Sequence, residues 1–91
     1  MPGEFLVVEA AAFVAKVQAA EYRSVYAKAT NYVYPQLRAN PFFGPHIKKL
    51  KGEFSGVYRY RLGGFRLFYT VRKERVVVVV IDIARRRDAY R

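Results

Sequence analysis

The chain has 91 residues, 53% of them hydrophobic, and its 17 basic and 7 acidic side chains give it a formal net charge of +10. This length predicts a single domain over residues 1–91, and the apolar content argues against intrinsic disorder. The absence of cysteine excludes a disulfide framework and a cysteine–zinc site. With one histidine and no obvious cluster of carboxylates, we expect neither a metal ion nor any other cofactor.

The N-terminal sequence does not have the pattern of a targeting or membrane segment. It lacks a basic start, and Glu4, Glu9 and Lys16 interrupt its apolar stretch. The longest aliphatic run, Val76–Ile81, is far too short to cross a bilayer. We therefore expect a cytoplasmic protein that does not act at a membrane.

The positive charge is concentrated in the second half of the chain. Residues 1–47 hold four basic and three acidic side chains, a net of +1, whereas residues 48–91 hold thirteen and four, a net of +9. Such a basic half is typical of a surface that binds nucleic acid. An acidic protein partner fits the same field, and a solvated surface that favours solubility is the third explanation.

The first half of the chain predicts one strand followed by helices. Phe5–Glu9 is a short apolar run typical of a strand, and residues 10–20 are rich in strong helix formers. Apolar side chains recur at helical spacing through Glu21–Arg38, where Pro35 either kinks or ends the helix. The boundary between the two helical segments is weakly marked, so a helical hairpin and a single bent helix both fit.

The second half predicts strands. Residues 40–46 hold two prolines and a glycine and form a loop. Three strands are expected after it, at Val57–Leu62, Phe65–Arg72 and Val76–Ile83. The sequence therefore predicts an α+β fold in the order β-α-α-β-β-β, with two helices packed on one face of a largely antiparallel four-stranded sheet. The other face of the sheet is expected to be open.

Gly63-Gly64 predicts a two-residue hairpin turn, because glycine readily adopts the positive φ that such turns need. This turn fixes the strand pairs as Leu62–Phe65, Arg61–Arg66, Tyr60–Leu67 and Arg59–Phe68. The three arginines then share the face away from the helices. Opposed like charges are destabilising, so either a phosphate lies between them, or they turn to solvent or pair with Glu53, Asp82 or Asp88. Phe68, on the same face, either stacks on a base or is a packing residue.

The segment after the last strand adds Arg85, Arg86, Arg87 and Tyr90 to the basic half. Because it leaves the same sheet, it either brings these side chains to the arginines of the hairpin or forms a solvated end. The sequence does not fix which side of the sheet it takes. His46, the only histidine, lies in the loop at 40–46 and is expected at the surface rather than in catalysis.

Taken together, these segments resemble the RelE/ParE superfamily of toxins. The matching segments are Asn40-Pro41, Ile47–Gly52, Val57–Tyr69, Val76–Arg86 and Asp88–Tyr90. The resemblance covers nearly the whole chain, weakly over the helices and closely from Asn40 onward. The family's β-α-α-β-β-β fold agrees with the order of elements predicted above. No single segment is specific, whereas their combination is.

The resemblance implies a set of functional residues. By similarity to RelE-type toxins, the catalytic positions are Arg59, Arg61, Arg66, Arg86 and Tyr90. The positions expected to bind RNA are Lys49, Lys51, Phe68, Arg85 and Arg87. The best-known members have lysine at the positions of Arg59 and Arg61, and many relatives have histidine at that of Arg85. The latter departure removes one candidate acid or base.

The resemblance further implies that messenger RNA is cleaved on the ribosome, without a metal, by attack of a 2′-hydroxyl on the adjacent phosphate. It also implies an acidic antitoxin as partner. Arginine stays protonated, so Arg59 and Arg61 suit charge stabilisation better than proton transfer, which leaves Tyr90 for that role. A ParE-type inhibitor of DNA gyrase and a degenerate member that only binds its partner are the alternatives. The complete arginine–tyrosine set favours the nuclease.

Overall fold

The computed structural model describes residues 4–86. The elements, in chain order, are β1 (Leu6–Glu9), α1 (Ala11–Lys16), a 3₁₀ turn (Ala20–Tyr22), α2 (Arg23–Lys28), a π turn (Ala29–Val33), α3 (Tyr34–Ala39), β2 (Ile47–Lys49), a second 3₁₀ turn (Gly52–Phe54), β3 (Tyr58–Leu62), β4 (Phe65–Arg72) and β5 (Val77–Arg85). The predicted α+β class is confirmed. None of the helices within residues 4–86 is long and apolar enough to cross a bilayer.

The strands form one five-stranded sheet in the order β1-β5-β4-β3-β2. Strands β2 to β5 pair in antiparallel fashion, whereas β1 runs parallel to β5 at the opposite edge. The prediction of four strands is therefore wrong, and the sheet is mixed. The missed strand is β2, which has only three residues, two of them lysine. So short a run at a sheet edge shows too little alternation to be recognised in a sequence.

The helices cover one face of the sheet and enclose the core with it. The buried side chains of this core are Phe13, Val17, Val25, Ala29, Val33, Tyr34 and Leu37 from the helical segments, and Tyr58, Tyr60, Leu67, Tyr69, Val78, Val80 and Ile83 from the strands. On β3 and β4 these are the tyrosines and the leucine that alternate with the arginines. The arginines therefore lie on the other face of the sheet, as predicted.

Pro35, which the sequence expects to kink or end the helix, follows a π turn, and the helical region continues past it to Ala39. Pro35 has no N–H to donate to the carbonyl of Asn31, and its ring crowds that carbonyl. The π turn at Ala29–Val33 immediately precedes it, and a wider turn relieves this crowding. Pro35 is the second residue of α3, directly after this wider turn.

Glu9, at the end of β1, joins the sheet to the helical layer. Its Oε2 accepts hydrogen bonds from the hydroxyls of Tyr26 and Tyr34, each at 2.8 Å. Burial, followed by the hydrogen bond to Glu9, raises the pKa of Tyr34 well above its ordinary value of 10. The hydrogen bond to Glu9 is also the main cause that raises the pKa of Tyr26. Both phenols therefore stay protonated and hold the helices to β1.

Candidate functional site

The Gly63-Gly64 turn has the predicted two-residue form. Gly63 alone of the pair has a positive φ, of 59°, which is the pattern of a type II′ turn. The strand pairs across the turn are Leu62–Phe65, Arg61–Arg66, Tyr60–Leu67 and Arg59–Phe68. The predicted register is thus confirmed, and it brings the arginines of β3 and β4 together.

We call the sheet face opposite the helices the arginine face, defined by Arg59, Arg61, Arg66 and Phe68. The prediction that it is open is wrong for two of these, since Arg59 is 9% exposed and Arg66 is 6% exposed. Both lie on interior strands, flanked on the same face by cross-strand neighbours. Arg59 lies between Phe68 and Lys48, which contributes to its burial.

Arg61 differs because it lies beyond the end of β2. Its backbone N–H donates to the carbonyl of His46, 2.9 Å away, and no residue of β2 opposes it. Its side chain is exposed, and so is that of Arg86. The face therefore combines two buried guanidinium groups with one that solvent reaches.

A β-bulge determines which face of the sheet the side chains at the end of β5 occupy. Phe68 pairs with Asp82 and Tyr69 with Val80, so Ile81 has no partner on β4. Without this extra residue, the alternation of the buried Val78 and Val80 would carry Ala84 and Arg86 to the helical side. With it, Ile83 enters the core at 1% exposure. Ala84 then lies opposite Arg66.

Arg86 is the first residue after β5, whose altered alternation leads toward the arginine face. Its backbone N–H donates to the carbonyl of Gly64 at 2.7 Å, which fixes it beside the hairpin turn. The backbone at Arg86 is therefore fixed beside the hairpin turn, and the face that its side chain takes stays a prediction. The bulge itself is a single extra residue in an apolar run, and no periodicity argument detects it.

Two acidic residues near the end of β5 pair with basic side chains outside the arginine face. Asp82 Oδ1 accepts from Lys16 Nζ at 2.9 Å and from the N–H of Ile83 at 2.8 Å. Arg85 reaches the helical side, where its guanidinium lies 3.3 Å from Glu21 Oε2. The structure therefore does not bring Arg85, expected to bind RNA, to the arginine face.

The other predicted site residues are distributed as follows. Phe68 is half-buried on the arginine face, directly opposite Arg59. Lys49 and Lys51 are exposed at the β2 edge of the sheet. His46 is exposed, with its ring centroid 5.5 Å from that of Tyr60. Arg87, Asp88 and Tyr90 lie outside the described residues, so the proton-transfer role expected of Tyr90 stays a prediction.

Within residues 4–86, no three side chains of histidine, cysteine, aspartate or glutamate come together in a way that could hold a metal ion. The phenol of Tyr69 is buried and donates to the carbonyl of Pro41 at 2.7 Å. Burial raises its pKa, so that this hydroxyl serves the core and not proton transfer. The arrangement can therefore bind and stabilise negative charge, through guanidinium groups concentrated on one surface.

This geometry has a counterpart in a known family. The model described as "ParE toxin of type II toxin-antitoxin system, parDE" matches residues 9–90. The chain belongs to the RelE/ParE toxin family. It is therefore a toxin of the type II toxin–antitoxin class. No curated protein sequence matches it.

Solved structures of RelE/ParE toxins have the same fold. The toxin–antitoxin complex RelBE2 from Mycobacterium tuberculosis has a chain 21% identical, with a TM-score of 0.76, covering 93% of this chain and 94% of that one. The archaeal RelE–RelB complex from Pyrococcus horikoshii gives 25% identity and a TM-score of 0.66, over 94% and 99% of the two chains. YafQ from Escherichia coli gives 13% and 0.71, over 97% and 100%.

Proposed function

We propose that this toxin is a ribosome-dependent, metal-independent endoribonuclease that cleaves messenger RNA in the cytoplasm and so inhibits translation. The observation that carries the proposal is the collection of Arg59, Arg61 and Arg66 on one sheet face, with the backbone of Arg86 held beside the hairpin turn. Preorganised positive charge of this kind stabilises the phosphorane that forms when a 2′-hydroxyl attacks the adjacent phosphate.

The buried and the exposed arginines have different roles in this proposal. Arg61 and Arg86 are exposed and make the first contacts with the RNA backbone. Arg59 and Arg66 are largely withdrawn from water, where a guanidinium charge acts more strongly on a developing anion. None of the four accepts a proton at neutral pH, so the attacking hydroxyl needs another base. Tyr90 is the residue that we propose for this step.

The proposed reaction produces RNA fragments with characteristic ends. Purified toxin added to ribosomes engaged on a message should yield an upstream fragment ending in a 2′,3′-cyclic phosphate and a downstream fragment with a 5′-hydroxyl. A 2′-deoxynucleotide at the cut position removes the nucleophile and should block the cut. Arg66→Ala should slow cleavage about 10²–10³-fold, the usual effect of losing one such donor. Arg75→Ala is the matched control, because it removes the same charge from the exposed β4–β5 turn.

A second candidate is inhibition of DNA gyrase, and one observation favours it. The family model that matches residues 9–90 is that of ParE toxins. Under this alternative the arginine face binds a protein and not RNA. Toxicity and loss of gyrase supercoiling activity, without any cut in messenger RNA, would establish the gyrase target and exclude the nuclease.

We also propose an acidic antitoxin as the partner that restrains the toxin. Two of the similar structures are toxin–antitoxin complexes, and residues 48–91 of this chain carry a net charge of +9. Exposed charges on the two partners attract each other less as salt is added. The affinity of the toxin for its antitoxin should therefore fall between low and high ionic strength. An affinity that does not respond to salt would contradict the electrostatic part of this proposal.

A further inference from the structure

The edge strand β2 forms part of a cleft at the side of the sheet. The cleft has a volume of about 290 Å³ and is lined by Lys48, Lys49, Leu50, Lys51 and Phe54. Ligand sites in proteins start at roughly 300 Å³. A cleft of this size therefore accommodates one small group and excludes a duplex. We call it the lysine cleft.

The lining of the lysine cleft combines two kinds of chemistry. Its three lysines carry +3, and the neighbouring Glu53 lowers the local charge to +2. Phe54 is a large apolar side chain left 50% exposed. An aromatic face beside ammonium groups suits a ligand that is both planar and anionic. A nucleotide has both properties, since its base stacks on aromatic rings and its phosphate attracts lysine.

The lysine cleft adjoins the arginine face through Lys48. Lys48 pairs with Arg59 across β2 and β3, so their side chains are neighbours on the same face. A strand of RNA held by the arginines therefore reaches the cleft within a short distance. We propose that the lysine cleft binds a nucleotide that flanks the scissile phosphate, with the phosphate on the lysines and the base against Phe54. This inference rests on the proposed nuclease function.

The position of the lysines also has a purely structural explanation, but the exposure of Phe54 does not. Lysines on an edge strand prevent the strand from pairing with other chains, and β2 is such an edge. That explanation covers Lys48 and Lys49. It does not explain Phe54, because an exposed aromatic ring at a sheet edge promotes association instead of preventing it. A ligand that stacks on the ring explains both.

The chain has no tryptophan, which allows a direct test by fluorescence. Phe54→Trp introduces one emitter in the cleft, and Phe43→Trp introduces one in the loop at 40–46, where Phe43 is 79% exposed. A short single-stranded oligoribonucleotide without ribosomes should quench the emission of Phe54→Trp to saturation. The emission of Phe43→Trp should change little. Tripolyphosphate should compete for the lysines but leave the Phe54→Trp emission unquenched, because it has no base.

Affinity measurements on the same oligonucleotide separate stacking from charge. Phe54→Ala should weaken binding roughly 5- to 150-fold, the fold-change that corresponds to loss of one stacked base. Phe54→Tyr keeps a ring and should bind as the wild type does. Equal quenching of the two tryptophan variants, or an unchanged affinity in folded Phe54→Ala, would overturn the proposal.

The outcome for the lysine cleft is distinct from the outcome for the nuclease. If wild-type toxin cuts messenger RNA on ribosomes but the oligonucleotide does not quench Phe54→Trp, the cleft is excluded and the nuclease stands. If Phe54→Trp is quenched to saturation but no message is cut, the cleft binds a nucleotide but the nuclease is excluded, and with it the proposal that this nucleotide flanks a scissile phosphate.

Discussion

Arg61 and Arg66 occupy directly opposed positions on β3 and β4. Only the pair Leu62–Phe65 separates them from the Gly63-Gly64 turn. Like charges at opposed positions of an antiparallel pair repel each other. Arg61 is exposed, whereas Arg66 is only 6% exposed, so water cannot screen both members of the pair equally. A pair of like charges that is suited to an anion is expected at a binding site.

The first prediction is that Arg61→Thr stabilises the fold while it weakens RNA cleavage. Removing the repulsion across the pair should raise the free energy of unfolding by about 0.2–1 kcal/mol. Urea unfolding measures the change. Arg72→Thr is the control, because Arg72 is an exposed arginine on β4 opposite Val77 and not opposite a charge. A gain no larger than that of the control would show that the pair does not repel.

The second prediction concerns the hairpin turn. Gly63→Ala should destabilise the protein by about 1 kcal/mol or more, because the φ of 59° is unfavourable for alanine. Gly64→Ala is the matched control, since Gly64 lies outside the left-handed region and has open space around its Cα. Thermal unfolding of the two variants distinguishes the positions. Equal losses would mean that the turn is not of the type described.

The third prediction is that Val76→Asn stabilises the turn between β4 and β5. Val76 has a φ of 55°, a conformation that costs an L-residue about 1–2 kcal/mol and is least tolerable for a β-branched side chain. Asparagine tolerates it better, so part of this energy should be recovered as unfolding free energy. The carbonyl of Val76, which accepts from the N–H of Leu6 at 3.0 Å, stays available to β1. A lower melting temperature for Val76→Asn would contradict this account of the strain.

The fourth prediction is a loss of stability at alkaline pH. The pKa of Tyr34 is raised in the folded protein, above its ordinary value of 10. Above that pH the unfolded chain releases this proton while the folded chain keeps it. The stabilisation that this raised pKa contributes should therefore be complete below pH 10. The free energy of unfolding should fall as pH rises beyond it.

Tyr34→Phe tests the same contact. The variant should lose about 1.5–3 kcal/mol at neutral pH, the usual contribution of a hydrogen bond to a charged group, here Glu9. Its unfolding free energy should also depend less steeply on pH in the alkaline range. Tyr32→Phe is the control, because Tyr32 is 67% exposed. If both variants showed the wild-type alkaline profile, Tyr34 would not be the group that titrates.

The hairpin was predictable because its determinants are local. Gly63-Gly64 fixes the turn, and the period of two in β3 and β4 assigns each side chain to a face. The collection of Arg59, Arg61 and Arg66 follows from these facts alone. The burial of Arg59 and Arg66 does not, because it depends on packing that no local pattern in the sequence shows.

The features that escaped prediction depend on contacts remote in sequence. The bulge at Ile81 is an extra residue that becomes visible only against β4, and Asp82 is held by Lys16, 66 positions earlier in the chain. The parallel pairing of β1 with β5 joins the two ends of the described chain. Of the lysine cleft, the sequence showed only the lysines. Phe54 gave no signal, because its exposure depends on the fold.

The measurement that tests the central claim most directly is primer extension on cellular messenger RNA after induction of the toxin. Wild type should produce cuts within translated codons, and His46→Ala should produce the same cuts. Arg66→Ala, Arg86→Ala and Tyr90→Phe, each shown to be folded, should lose most of them. Growth arrest without cuts, or full cutting by the folded Arg66→Ala and Arg86→Ala proteins, would contradict an endoribonuclease that works through the arginine face.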